Sequence, residues 1–162
     1  SGPTDRFGVE FSNFYTPTPW LTLDADYAWS HARFTAFDPL GQRVPESLQA
    51  TFDGGVALHN LNGLAKDWSA GLRLRYFGPR ALSQDGLVHS KSTALVYADL
   101  GYAFADGWSV GLDVFNLFDA RNSDIDYFYT SRLKGEPASG VADIHSHPAE
   151  PRELRLSGTR RF

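Results

Sequence analysis

Asp143, His145 and His147 occupy every second position of the segment Asp143-Ile144-His145-Ser146-His147. In an extended chain that spacing puts one carboxylate and two imidazoles on a single face. Imidazole with carboxylate suits a borderline transition metal. The plainer reading is an exposed loop in which His147-Pro148 fixes a turn. Two other pairs repeat the spacing, Asp24 with Asp26 and Arg73 with Arg75. On a strand each pair shares a face, where it meets solvent or contacts a ligand: a cation for the carboxylates, an anion for the guanidiniums. His31, His59 and His89 are isolated. There is no nucleophile-elbow context for a Ser/His/Asp set, no phosphate loop and no other paired-carboxylate motif. The expectation is a protein that is not an enzyme and carries no cofactor.

The elements that position these residues are strands. From Trp108 the apolar residues alternate, as Trp108, Val110, Leu112 and Val114, with Ser109, Gly111 and Asp113 between them. Period two marks a strand with one apolar and one small or polar face. Residues 93–104 repeat the pattern, and Ala105-Asp106-Gly107 joins the two runs as a hairpin turn. Further strands are expected at 6–16, 20–34, 50–61, 68–78 and 151–162. Thr16-Pro17-Thr18-Pro19 ends the first of them, since Pro cannot continue a ladder. The expected fold is all-β, an antiparallel meander of seven strands.

Composition narrows the class. With 42% hydrophobic and 14% aromatic residues the chain is not disordered in character. No apolar run approaches the ~20 residues of a spanning helix, which leaves a β-barrel open because half of each barrel strand is polar. There are no cysteines, so disulfides and thiolate metal sites are excluded. A net charge of −4 argues against nucleic acid as a partner. The chain begins at Ser1 without a leader-like segment and contains no Met, as a mature or truncated chain would.

Two regularities favour a transmembrane barrel over a soluble sandwich. Connections alternate short and long, as periplasmic turns and extracellular loops do in outer-membrane barrels. Aromatic residues gather at the short-turn ends: Trp68 and Trp108 open upward strands, and Tyr15, Tyr102 and Phe104 close downward ones. These would form an interfacial girdle. Trp20 follows the same turn rule but is out of phase with its strand. Asp24, Asp26, Arg73 and Arg75 then face a wet lumen.

The last third carries a resemblance. Asn116-Leu-Phe-Asp119, the segment 123–133, Gly135-Glu-Pro137, the segment 143–152 and the terminal Phe162 resemble the end of TonB-dependent outer-membrane receptors. The likeness covers residues 116–162, and the earlier strands agree in pattern. It implies an outer-membrane protein of a Gram-negative bacterium with a barrel of about 22 strands in the complete protein. An N-terminal plug would fill that barrel and contact the energy-transducing partner TonB. Residues 1–162 would be the C-terminal portion of the barrel domain, without the plug. The implied function is energy-dependent uptake of a scarce nutrient, such as an iron-siderophore, another metal chelate or cobalamin. The implied partners are outer-membrane lipid, the remaining strands and plug, the small-molecule or metal-chelate ligand, and the barrel-assembly machinery.

That machinery is expected to read Leu154, Leu156 and Phe162 in the last strand, where Gly158 and Arg160 replace usual apolar side chains. The long loop 119–150 is expected to fold back as an ordered extracellular hairpin, with Asp124, Asp126 and Tyr127 at the rim of the ligand vestibule. Two other classes stay open at this point: a small self-contained outer-membrane barrel, structural or enzymatic, and a soluble β-domain that binds a ligand or partner.

Overall fold

In the computed structural model, residues 2–60 and 67–161 are described. Strands β1 (Thr4–Thr18), β2 (Leu21–Phe34), β3 (Ala50–His59), β4 (Trp68–Phe77), β5 (Thr93–Ala103) and β6 (Trp108–Phe115) pair in order, and β9 (Glu153–Arg160) pairs with β6. The result is a seven-stranded antiparallel meander with edges β1 and β9. Between β6 and β9, strands β7 (Ser123–Ser131) and β8 (Val141–Pro148) form a separate two-stranded hairpin. No described helix is long and apolar enough to cross a membrane, which does not bear on crossing by strands.

Register carries the two-face pattern across the whole sheet. One rung reads Tyr15, Leu23, Val56, Leu72, Ala98, Val114 and Leu154 across all seven strands. A rung on the opposite face reads Thr22, Ala57, Gly71, Asp99, Asp113 and Arg155. Because side chains alternate, in-register pairing of alternating strands gathers most of the large apolar residues on one side.

Neither face is covered by another layer. Leu72 on the apolar side is 49% exposed and Leu156 81%. Among the described residues the buried apolar side chains are Ala32, Ala81 and Leu82, and Ala81 and Leu82 belong to a long connection. A soluble sandwich would instead bury one face of each sheet. This sheet is a wall, and its packing core lies in the loops at one end.

Two of those loops lock together. Glu46 N donates to Ala81 O at 2.7 Å and Arg43 N to Gln84 O at 3.1 Å. The Gln84 amide donates to Asp38 Oδ2 at 3.0 Å and to Gly41 O at 2.9 Å. Gly41 has φ 112°, and a Cβ there would lie 2.4 Å from Gln84 O, so only Gly fits.

The structure corrects two expectations about the first turn. β1 runs through Pro17 to Thr18, with a register shift between Tyr15 and Thr18. A bulge on an edge strand absorbs the proline without losing an internal ladder bond. Trp20 lies in the turn and does not open β2. The expected strand end at Leu61, most of the turn at 62–67, and Phe162 lie outside the described residues.

Candidate functional site on the polar face and its hairpin

The polar face is organised around Arg73. Its guanidinium donates to Asp53 on β3 and, at 2.8 Å, pairs with Asp24 Oδ2 on β2. Arg75 Nε donates to the other Asp53 oxygen at 3.1 Å and lies 5.6 Å from the centre of the Tyr97 ring. Arg73 reaches β2 by crossing β3 at Gly55. A Cβ on Gly55 would stand 3.1 Å from Arg73 Nη2 and 3.2 Å from Asp24 Oδ1. The missing side chain is what lets the two charges meet.

Asp26 stands directly opposite Asp53, an unfavourable like-charge pair. The Ser12 hydroxyl donates to Asp26, while Arg73 and Arg75 cover Asp53. Ser12, Asp26, Asp53 and Arg75 border an open concavity of about 300 Å³ that also touches Glu10 and Thr51. Asp24, Asp26, Arg73 and Arg75 therefore do share one face. The two arginines are neutralised by neighbouring strands, so an anionic ligand would compete with Asp24 and Asp53. Asp53, Gly55 and Tyr97 were not anticipated, because their roles depend on cross-strand register.

The β7–β8 hairpin is held at its neck by Asn116. This residue is 2% exposed and has φ 47°, in the left-handed region. Its amide donates to Ala120 O at 3.1 Å and to Glu150 O at 2.9 Å, and its Oδ1 accepts from Ala120 N at 2.9 Å. One side chain thus ties together both ends of the 119–150 loop. Asp119 Oδ1 accepts from Arg152 N at 3.1 Å, and the Asn122 amide donates to Ala94 O at 2.8 Å. An isolated two-stranded hairpin is marginal in water, and this neck supplies the missing support.

Within the hairpin the expected vestibule set divides. Asp126 is 5% exposed and accepts from the Ser146 hydroxyl at 2.6 Å, so it holds β7 to β8. Asp124 is exposed at the register shift between Ser123 and Ile125, and Tyr127, next to Asp126 on the strand, points to the face opposite Asp126. Asp143, His145 and His147 share the face of Tyr127 and Tyr129 by register. The His145 ring stacks on Tyr129 with centroids 3.9 Å apart and planes at 17°. Among the described residues no group of three His, Cys, Asp or Glu side chains is placed to hold a metal ion. A shared face brought these three residues to one side without converging them on a point.

On the apolar face, the Trp68 and Tyr102 rings lie 4.9 Å apart and Tyr102 and Phe104 meet edge to face at 4.7 Å. Trp108 is 44% exposed at the same end, and Tyr15 is 56% exposed on the edge strand. A second aromatic rung crosses the sheet nearer the long loops: Phe11, Tyr27, Phe52 and Tyr76. Trp68 and Tyr76 lie eight residues apart on β4, or ~26 Å along the strand. That is near the ~25 Å apolar band of outer-membrane barrels. Leu154 and Leu156 continue the apolar face on β9, at 66% and 81% exposure.

No family model matches the sequence, and no curated protein matches it in sequence. Solved structures do match. The ferric yersiniabactin uptake receptor FyuA from Yersinia pestis aligns with a TM-score of 0.71 at 21% identity, over 96% of this chain and 23% of its own. The ferric-catecholate import receptor Fiu from E. coli K12 gives 0.71 at 23% identity over 98% and 21%. The ferric citrate transporter FecA gives 0.68 at 21% identity over 98% and 24%. The chain thus spans about a fifth to a quarter of the length of these receptors. They are receptors and transporters by description, not enzymes. The likeness is one of fold: the seven-stranded wall of this chain aligns with a stretch of each of these receptor structures.

Proposed function

We propose that residues 1–162 form the C-terminal part of the barrel domain of a TonB-dependent receptor in the outer membrane of a Gram-negative bacterium. The receptor takes up a scarce nutrient of the siderophore, metal-chelate or cobalamin class. The observation that carries this reading is the uncovered seven-strand wall with one continuous apolar and one charged face. Such a sheet is stable only between lipid and a polar interior. Alignment over nearly the whole chain with receptors described as taking up ferric yersiniabactin, ferric catecholates and ferric citrate supports the ligand class.

The edges β1 and β9 expose unpaired backbone, which lipid does not tolerate. The remaining strands of the same receptor close them, and a plug with its TonB contact fills the interior. A small self-contained barrel would need β1 and β9 to pair with each other, whereas the sheet in this chain is open. The test is uptake. Deleting the receptor should abolish energy-dependent accumulation of at least one member of a panel of ferric chelates, other metal chelates and cobalamin. Unchanged accumulation of every member would overturn the proposal.

A further inference from the structure

On β2 the outward face changes character after Trp29: the next two residues on that side are His31 and Arg33. We infer that His31, Arg33 and Arg43 form a site for the phosphate of an anionic lipid in the leaflet on the long-loop side, with its acyl chains against Trp29 and Tyr27. The inference rests on the membrane-spanning reading above.

Register sets the arrangement. Arg43, in the connection between β2 and β3, pairs antiparallel with Arg33, so the two side chains rise on the same side. The cluster is one strand inboard of the sheet edge. Asp5 of β1 stands opposite Arg33 on the edge side, and Arg43 stands opposite it on the other. Backbone bonds hold the pair in place, from Phe34 N to Gln42 O at 2.8 Å and from Arg43 N to Gln84 O at 3.1 Å.

Two guanidiniums directly opposite each other repel. Asp5 offsets this only loosely, at 3.8 Å from Arg33 with both side chains about half exposed. Among the described residues no carboxylate pairs with Arg43, whose Nη1 stands 3.4 Å from His31 Nδ1. Asp38 and Asp85, on the two locked loops, are engaged there. Asp38 accepts from Leu40 N and the Gln84 amide, and Asp85 from Leu87 N and the Ser83 hydroxyl. The cluster therefore holds excess positive charge at fixed positions. Guanidinium forks match phosphate oxygens, and an anion between them would relieve the repulsion.

The level is that of lipid headgroups. His31 lies ~7 Å and Arg33 ~13 Å along β2 beyond Trp29, and interfacial aromatics mark where hydrocarbon gives way to headgroups. Trp29 and Tyr27 are 37% and 42% exposed on the apolar side. Phe7 joins the two zones, meeting Trp29 edge to face at 5.7 Å and His31 at 5.5 Å. An anion site with an apolar surface directly beneath follows the order of groups in a lipid. The cluster also faces away from the interior, so a substrate crossing the barrel does not meet it.

The experiment titrates the intact receptor in neutral detergent with phosphatidic acid and reads the dissociation constant of the first bound lipid by native mass spectrometry. Both arginines are exposed, so replacing them does not open the core. Arg33→Gln and Arg43→Gln should each weaken binding about fivefold, or ~1 kcal/mol, and the double variant more than either. Arg121→Gln, which removes an exposed cation from the 119–150 loop, should leave it unchanged. Inorganic phosphate should not compete. Equal constants for wild type and the double variant would overturn the inference, as would an equal loss in Arg121→Gln or displacement by inorganic phosphate. A wild-type receptor that fails to insert into bilayers would overturn the membrane reading itself, whereas normal insertion with unaltered lipid binding would overturn only this site.

Discussion

Replacing Arg73 with Ala removes the cation shared by Asp24 and Asp53 and leaves both carboxylates beside Asp26, with Arg75 alone to offset them. The side chains of Asp24 and Asp53 are 19% and 30% exposed and that of Arg73 42%, so solvent screens the pairs in part. Partly exposed pairs contribute about 0.2–1 kcal/mol each. Two pairs plus the new like-charge repulsion amount to ~1–2 kcal/mol. In local opening equilibria that is roughly 5- to 30-fold faster amide exchange. The assay is hydrogen exchange on the intact receptor, following peptides that cover 50–59 and 68–77. Arg73→Ala should accelerate both and leave β6 unchanged. Adding Asp53→Asn should recover part of the protection, because it removes the stranded charge. Raising salt to about 1 M, where the Debye length falls to ~3 Å, should shrink the difference. Unchanged exchange in Arg73→Ala, or a difference indifferent to salt and to Asp53→Asn, would refute the picture of a coupled charge network.

Three other outcomes follow. Asn116→Ala should free the neck of the 119–150 loop at a cost of ~1–3 kcal/mol, since three hydrogen bonds and a left-handed backbone position are affected; limited proteolysis should then cut within 119–150 many times faster. The Asp85 carboxyl accepts from the Ser83 hydroxyl and then from Leu87 N, which holds it below its ordinary value of 3.8. A depressed folded value means the turn at 83–87 is supported above 3.8 and loses that support as pH falls through the lowered value; the turn should persist at pH 4 in wild type by amide exchange, and Asp85→Asn should remove the pH response. Replacing His145 and His147 with Ala should change affinity for a bare divalent ion by less than about threefold, and a tenfold loss, ~1.4 kcal/mol, would identify them as metal ligands.

The wall was legible because alternation is a local property. Residues 21–34, 68–77, 93–103 and 108–115 each declare their faces within a single strand, and the faces survive pairing. The hairpin inside the long loop was legible in kind, since Ile125, Tyr127 and Tyr129 alternate with Asp124 and Asp126. Pro17 misled because its cost depends on whether the strand is an edge, which is a tertiary fact. Asp53 could not be joined to Arg73 and Arg75 from sequence, because one residue of register slip moves it to the other face. The same limit hid the aromatic rung of Phe11, Tyr27, Phe52 and Tyr76, whose members are far apart in sequence. Asn116 was visible as part of a resemblance, but its work at the neck is a contact between residues 34 positions apart.

The central claim is that this sheet separates lipid from water. This stretch has no native cysteine, so single cysteines introduced in turn at 69–76 of the intact receptor can each carry a spin label. Accessibility to oxygen and to a polar nickel chelate then reports the environment of each position in a bilayer. The account predicts a period of two, with oxygen favoured at Ala70, Leu72, Leu74 and Tyr76 and the nickel chelate at Ser69, Gly71, Arg73 and Arg75. Equal access of the nickel chelate to both sets would contradict it.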